Sequence, residues 1–163
     1  MDDNRPNSLE LAQTIRQRMA GRKLNHQKLQ KLCCLVDGWW LAYEDAPLTR
    51  DRQACMDHGP LYKELYQFLS GHGTDPLPEV LAGPMGSPNE VPYDNVKAHN
   101  LIKWVVGRYG ALSDFELSTL LSAEDSAWKA HVASQGHQVR RWEEIPVDTI
   151  RRIYTAKRNH EGI

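Results

Sequence analysis

Residues 25–43, NHQKLQKLCCLVDGWWLAY, constrain the fold more than any other stretch of the chain. Leu29, Leu32, Cys33, Val36, Trp40 and Tyr43 recur at intervals of three and four, the stripe of a 3.6-residue helix. Leu35 and Trp39 occupy an adjoining face, and Cys34 and Leu41 widen it. The polar residues His26, Gln27, Lys28, Gln30 and Lys31 are confined to the first two turns, so the second half is apolar nearly all round. A helix of that kind is surrounded by others rather than laid on a surface. Each tryptophan brings roughly 150–250 Å² to bury, so Trp39 and Trp40 mark the expected centre of the core.

Around this helix the pattern predicts a mainly α fold: a single compact helical domain of about six helices, with little or no β structure. Residues 1–7 read as loose, and Ser8 as the cap of a helix to about residue 20 with Leu11, Ile15 and Met19 inward. Arg16, Gln17 and Arg18 read as its solvated face. Residues 48–56 look irregular or briefly extended. Pro60 suits the first position of a helix carrying Leu61, Tyr62, Leu65, Tyr66 and Leu69. Residues 71–92 alternate prolines with glycines and form a long surface loop, a kind of segment that is usually functional or mobile. Asp94 or Asn95 caps the next helix, lined by Ala98, Leu101, Ile102, Val105 and Tyr109. Ser113 and Glu116 form a capping box, with Leu112 and Leu117 as its hydrophobic staple. A further helical stretch carries Trp128, and a last one after Pro146 turns Ile150, Ile153 and Tyr154 inward. The domain is expected to span residues 8–158, with 159–163 loose.

Composition excludes several classes. With 20 basic and 21 acidic side chains the formal charge is −1, so no bulk field favours nucleic acid or membrane. No apolar run approaches the roughly 20 residues of a membrane span, and the start, MDDNRPNSLE, is acidic and polar rather than secretory. Three cysteines are an odd count, and Cys33 and Cys34 sit side by side on the central helix. They read as reduced thiols of a cytoplasmic protein.

Catalytic chemistry finds little footing. Seven histidines and three cysteines include no CxxC pair and no HExxH. Cys55 and His58, three residues apart, are the one plausible thiol–base pair, and core or surface roles suit them better. No glycine-rich loop precedes a helix in the manner of a phosphate site. Residues 112–133 read as helix, turn, helix, but EDSAWKAHV offers Lys129 as its sole basic side chain, too little for a groove-reading helix. The expectation is a protein without cofactor, metal or catalytic residues.

The run Lys28, Leu29, Gln30, Lys31, Leu32, continuing to Gly38, Trp39, Trp40, Leu41 and Ala42, resembles the KLQKLLY…GWyLA signature of the Panacea domain, the family of SocA-type and GepA-like phage and prophage proteins. Pro47, Leu48, Ala54, Gly59, Pro60 and Tyr66 resemble its "pLf…eAWxxGPv" segment. Leu117 to Trp128 resembles its "LselTHxexxPW" stretch, and Ile145 with residues 150–154 its closing helix. The chain departs from the pattern at Cys55, where the family has Trp, at Leu61, at Leu121 and Ser122 in place of Thr-His, and at Ala127 in place of Pro. The resemblance implies a non-enzymatic cytoplasmic antitoxin, encoded beside a toxin gene and neutralising the toxin by direct binding. One kind of relative acts instead as an adaptor that delivers its toxin to a AAA+ protease. The motif residues, Gly59, Pro60 and Trp128 included, read as architectural. Tyr62 and Tyr66 after Pro60, and Pro84 and Met85 in the loop, are the candidate partner contacts.

Overall fold

The computed structural model describes residues 3–83 and 86–163. Among them seven α-helices and one two-stranded antiparallel sheet follow in the order α1 (Ser8–Arg18), α2 (His26–Leu41), β1 (Gln53–Met56), β2 (Gly59–Tyr62), α3 (Lys63–Leu69), α4 (Val96–Tyr109), α5 (Asp114–Leu121), α6 (Ala127–Ser134) and α7 (Val147–Glu161). The fold is mainly α, as the periodicity predicts. The count is seven where about six were expected; residues 112–133 hold two of them, as the helix, turn, helix reading has it, each with its own serine cap: Ser113 accepts from the Glu116 N–H and Ser126 from the Lys129 N–H.

Helix α2 is the hub. It packs against α1, α3, α4, α5, α7 and β2, and Leu29, Leu32, Cys33, Cys34, Leu35, Val36 and Trp39 are all buried. The far end of the predicted stripe is less enclosed. Helix α2 stops at Leu41, Trp40 is half-buried with its indole N–H on the Ala46 carbonyl at 3.0 Å, and Tyr43 is exposed beneath the Arg158 guanidinium. Trp39 meets Trp104 and Tyr154 edge-on at centroid distances of 5.2 and 5.4 Å, and donates its N–H to the Tyr109 hydroxyl at 3.0 Å. Edge-to-face contacts set a ring's negative face against a neighbour's positive rim, so the Trp39 ring fixes how α4 and α7 lie on α2. Gly38 permits the closest approach: a Cβ there would fall 2.3 Å from the Tyr154 ring.

The hairpin makes residues 53–56 the briefly extended piece that stretch allowed, and corrects the expectation of a helix starting at Pro60, since that helix begins at Lys63. Asp57 and His58 form the turn, and Gly59 takes φ +134°, a conformation that suits a residue without Cβ. Pro60 lies in β2 opposite Cys55, where a ladder N–H would ordinarily be needed. The Cys55 backbone instead turns the other way: its N–H donates to the Glu143 carbonyl and its carbonyl accepts from the Trp142 N–H, both at 2.8 Å. The Cys55–Pro60 pair therefore exchanges no bond across the hairpin, and proline costs nothing there. Ile145 N–H adds a bond to the Gln53 carbonyl at 2.9 Å, so residues 142–145 lie along the free edge of β1.

Three further differences concern polar residues. The cap of α1 is Asn7, whose side chain and that of Glu10 form a capping box, while Ser8 is buried with its N–H and hydroxyl both on the Asp51 carboxylate at 2.7 Å. Pro6 is also buried and its carbonyl accepts from the Arg50 N–H, so residues 6 and 7 are tied down. Arg16 is only 2 % exposed, not part of a solvated face. Its guanidinium bonds the Pro78 and Met19 carbonyls at 2.9 and 3.0 Å and pairs with Glu79 at 3.2 Å. With Gln13 accepting from Leu81 N–H and Thr14 from Val91 N–H, helix α1 fastens the described part of the 71–92 segment, and Leu77, Leu81 and Val91 are buried there. Helix α7 runs through Glu161, where a bidentate pair with Arg108 on α4 holds the last turn.

Gly38→Ala tests the α2–α7 approach. Alanine favours an isolated helix by about 1 kcal/mol, whereas overpacking against an immovable ring costs about 1–3 kcal/mol. The expected outcome is a net loss of stability in urea unfolding; a variant as stable as the parent would mean that α7 yields freely.

Candidate functional site

The motif residues are distributed around α2 and along the elements that cover it, and several of them hold those elements in place. Gln30 is fully buried, and its amide donates to the Tyr62 carbonyl and accepts from the Tyr62 N–H, each at 2.9 Å. It does for the end of β2 what a neighbouring strand would do. Seven residues further along α2, Asp37 is 4 % exposed and accepts from the Leu48 N–H at 2.9 Å, the Thr49 hydroxyl at 3.0 Å and the Tyr62 hydroxyl at 3.0 Å. Burial raises the Asp37 pKa, and the three donors oppose that rise by stabilising the carboxylate. Tyr62 is therefore gripped at its backbone by Gln30 and at its hydroxyl by Asp37. It has no exposed surface and offers nothing to a partner.

Tyr66 is different. It is partly exposed, tilted against His26 at 5.5 Å and edge-on to Trp142 at 5.2 Å. Burial, with Lys31 and His72 nearby, lowers the His26 pKa to about 4, so the ring is neutral at ordinary pH and serves as an aromatic wall. Pro84 and Met85 lie outside the described residues. Gly59 passes within ordinary contact of Leu121, and the Trp128 indole donates to the Met56 carbonyl at 2.8 Å, closing α6 over the hairpin turn. Lys28 and Leu29 open α2 on the Asn25 cap, and Leu32 is fully buried.

The positions that depart from the motif carry no reactive arrangement. Leu121 and Ala127 are buried, and Ser122 ends α5 with its hydroxyl on the Ser118 carbonyl at 2.7 Å. The Cys55 thiol is buried, and desolvation together with Glu143 raises its pKa to about 11, the wrong direction for a nucleophile. Burial raises those of Cys33 and Cys34 as well. Among the described residues no three His, Cys, Asp or Glu side chains gather as a metal site, and no helix is long and apolar enough to cross a membrane. On α6, Lys129 pairs with Glu124 and His131 is buried against Glu143 at 2.8 Å, so neither is presented to a nucleic-acid groove.

Fold and site define a mainly α-helical protein in which the motif residues Gln30, Gly38, Trp39 and Trp128 take part in holding neighbouring elements together. The chain belongs to the antitoxin SocA-like, Panacea domain family, whose model matches residues 29–129. The match runs from the first turn of α2 to the first turn of α6, leaving α1 and α7 outside it. No curated protein and no solved structure matches the chain. Membership of an antitoxin-like family points to an antitoxin role, to a non-enzymatic one, and to a toxin as the general kind of partner.

Tyr62→Phe deletes one donor to a buried carboxylate and is expected to cost about 1.5–3 kcal/mol at neutral pH, the range for hydrogen bonds to charged groups, read from the denaturant midpoint. Asp37 also sets a pH dependence. Its folded pKa lies above the ordinary 3.8, so the folded state holds the proton more tightly than the unfolded chain. As pH falls through the raised value, the parent should therefore gain stability relative to Asp37→Asn, which does not titrate there. Parallel pH profiles for the two proteins would contradict this.

Proposed function

We propose that this protein is an antitoxin that neutralises a cognate toxin, encoded by the adjacent gene, by direct binding in the cytoplasm. The observation that carries the reading is the family match over residues 29–129. The three thiols are buried and their pKa values are raised, which accords with a non-enzymatic role. Tyr66, with the partly buried Trp142 beside it, is proposed as an anchor, since aromatic side chains dominate binding hot spots.

Co-expression with the product of the neighbouring gene tests the reading. The expected outcome is that the neighbour alone arrests growth, that this protein restores it, and that the two co-purify as a stable complex. Restored growth with disappearance of the neighbour would replace direct blocking by delivery to a AAA+ protease. A harmless neighbour that never co-purifies would overturn both. Tyr66→Ala is expected to weaken the complex at least tenfold.

A further inference from the structure

Lys31 is a largely buried cation with no ion-pair partner among the described residues, its ammonium reached by solvent only through the cavity it lines. Only 5 % of the residue is exposed, and its ammonium has no hydrogen-bond acceptor or ion-pair partner among the described residues. The carboxylate of Asp114 is felt at Lys31 but is held by the Asn25 amide at 3.1 Å, and Glu116 is engaged in the α5 capping box. What remains of the Lys31 surface lines a cavity of about 270 Å³ between the start of α2, the hairpin turn and α5. One turn earlier on α2, Gln27 lines the same cavity, and its side-chain carbonyl oxygen is buried with no partner. Holding a lysine ammonium largely desolvated with no ionic partner is costly, and an anion entering the cavity would offset that cost.

The remaining walls describe what would fit. Leu61 and Met56 are apolar, and Ser118 and His58 add hydrogen-bonding groups. Arg141 stands on the wall already paired with Asp57. One cation is thus free and the other is neutralised, which suits a single negative charge and, with Asp57 nearby, disfavours a dianion such as phosphate. Phe115 lies one helical turn before Ser118, hence on the same face of α5, and is 77 % exposed. An exposed aromatic ring on the same helix face as Ser118, a residue of the cavity wall, offers a partner an apolar anchor in addition to the charge inside the cavity.

We propose that this cavity receives the carboxylate side chain of a partner polypeptide, with Lys31 as its counter-charge, Ser118 and His58 as further contacts and Phe115 as the adjoining apolar anchor. The Leu61 and Met56 walls accommodate the methylene stem of a glutamate or aspartate. Assigning that partner to the toxin rests on the antitoxin reading; binding of the carboxylate does not.

The test begins without any toxin. N-acetyl-glutamic acid α-methylamide, whose only charge is its side chain, is titrated into the uniformly labelled protein and followed by amide chemical shifts. Saturable shifts are expected at Gln27, Lys31, Gly59 and Ser118, at least tenfold weaker with the glutamine analogue and absent in Lys31→Met. Lys31→Met removes an unpaired buried charge, so its melting temperature should be equal to or above that of the parent. Should it fail to fold, Lys31 is a structural cation and the proposal falls, unless Ser118→Leu, which narrows the cavity without touching the lysine, folds and abolishes the shifts. Equal or tighter binding of N-acetyl-alanine or inorganic phosphate would overturn the side-chain assignment, and shifts unchanged in Lys31→Met would overturn the site. With the toxin in hand, Lys31→Met and Phe115→Ala should each weaken the complex at least tenfold. If no toxin exists the titration still decides the cavity, and if the cavity is silent the co-expression result still decides the antitoxin.

Discussion

A helix that is apolar on nearly every side must be covered on every side, and that requirement organises this molecule. Helix α2 recruits α1, α4 and α7 along its length and α5 with the hairpin near its start. The cover differs in kind from face to face. Toward α4 and α7 it is aromatic, built on Trp39 and on the contact that Gly38 allows with Tyr154. Toward the hairpin it is polar, built on Gln30 and Asp37. The aromatic cover is set by edge-to-face ring contacts and the Trp39–Tyr109 hydrogen bond, the polar cover by a bidentate amide and a three-donor carboxylate. The two kinds of cover divide the labour of filling volume and fixing position.

The same division explains what could be read in advance. Signals spaced within one turn or one cap were legible: the α2 stripe, the Asn95 cap, the Ser113–Glu116 box and the inward Ile150 and Tyr154 of α7 all follow from local periodicity. The hairpin was not legible, because four-residue strands are too short to show alternation and one of them contains Gly59 and Pro60, which argue for a turn or a helix start. Its stability comes from residues 142–145, some ninety positions away, and no local pattern announces that. At the start of α1 both Asn7 and Ser8 are good caps, and the choice falls to Asn7 because Glu10 completes its box while Asp51 claims Ser8.

Candidate contacts fared according to the same rule. Arg16 and Lys31 are charged residues that a sequence places on a wet face, and both are buried. Arg16 finds a backbone carbonyl in a segment sixty residues on; Lys31 has no ion-pair partner among the described residues. Tyr62 and Tyr66 are equivalent in a sequence pattern, yet the first is locked between Gln30 and Asp37 and the second is partly exposed. Only the tertiary arrangement separates them.

The fastening of Pro78, Leu81 and Val91 to α1 has a consequence for association. Gln13, Thr14 and Arg16 are buried groups, so the backbone they bond is ordered as part of folding. A segment rich in glycine and proline would otherwise forfeit conformational freedom at the moment of docking, and that loss would be subtracted from the affinity. Here it has been met beforehand by the core. Were a macromolecule to bind against these fastened residues, the free energy of its contacts would go into residence time instead of into shaping that part of the surface.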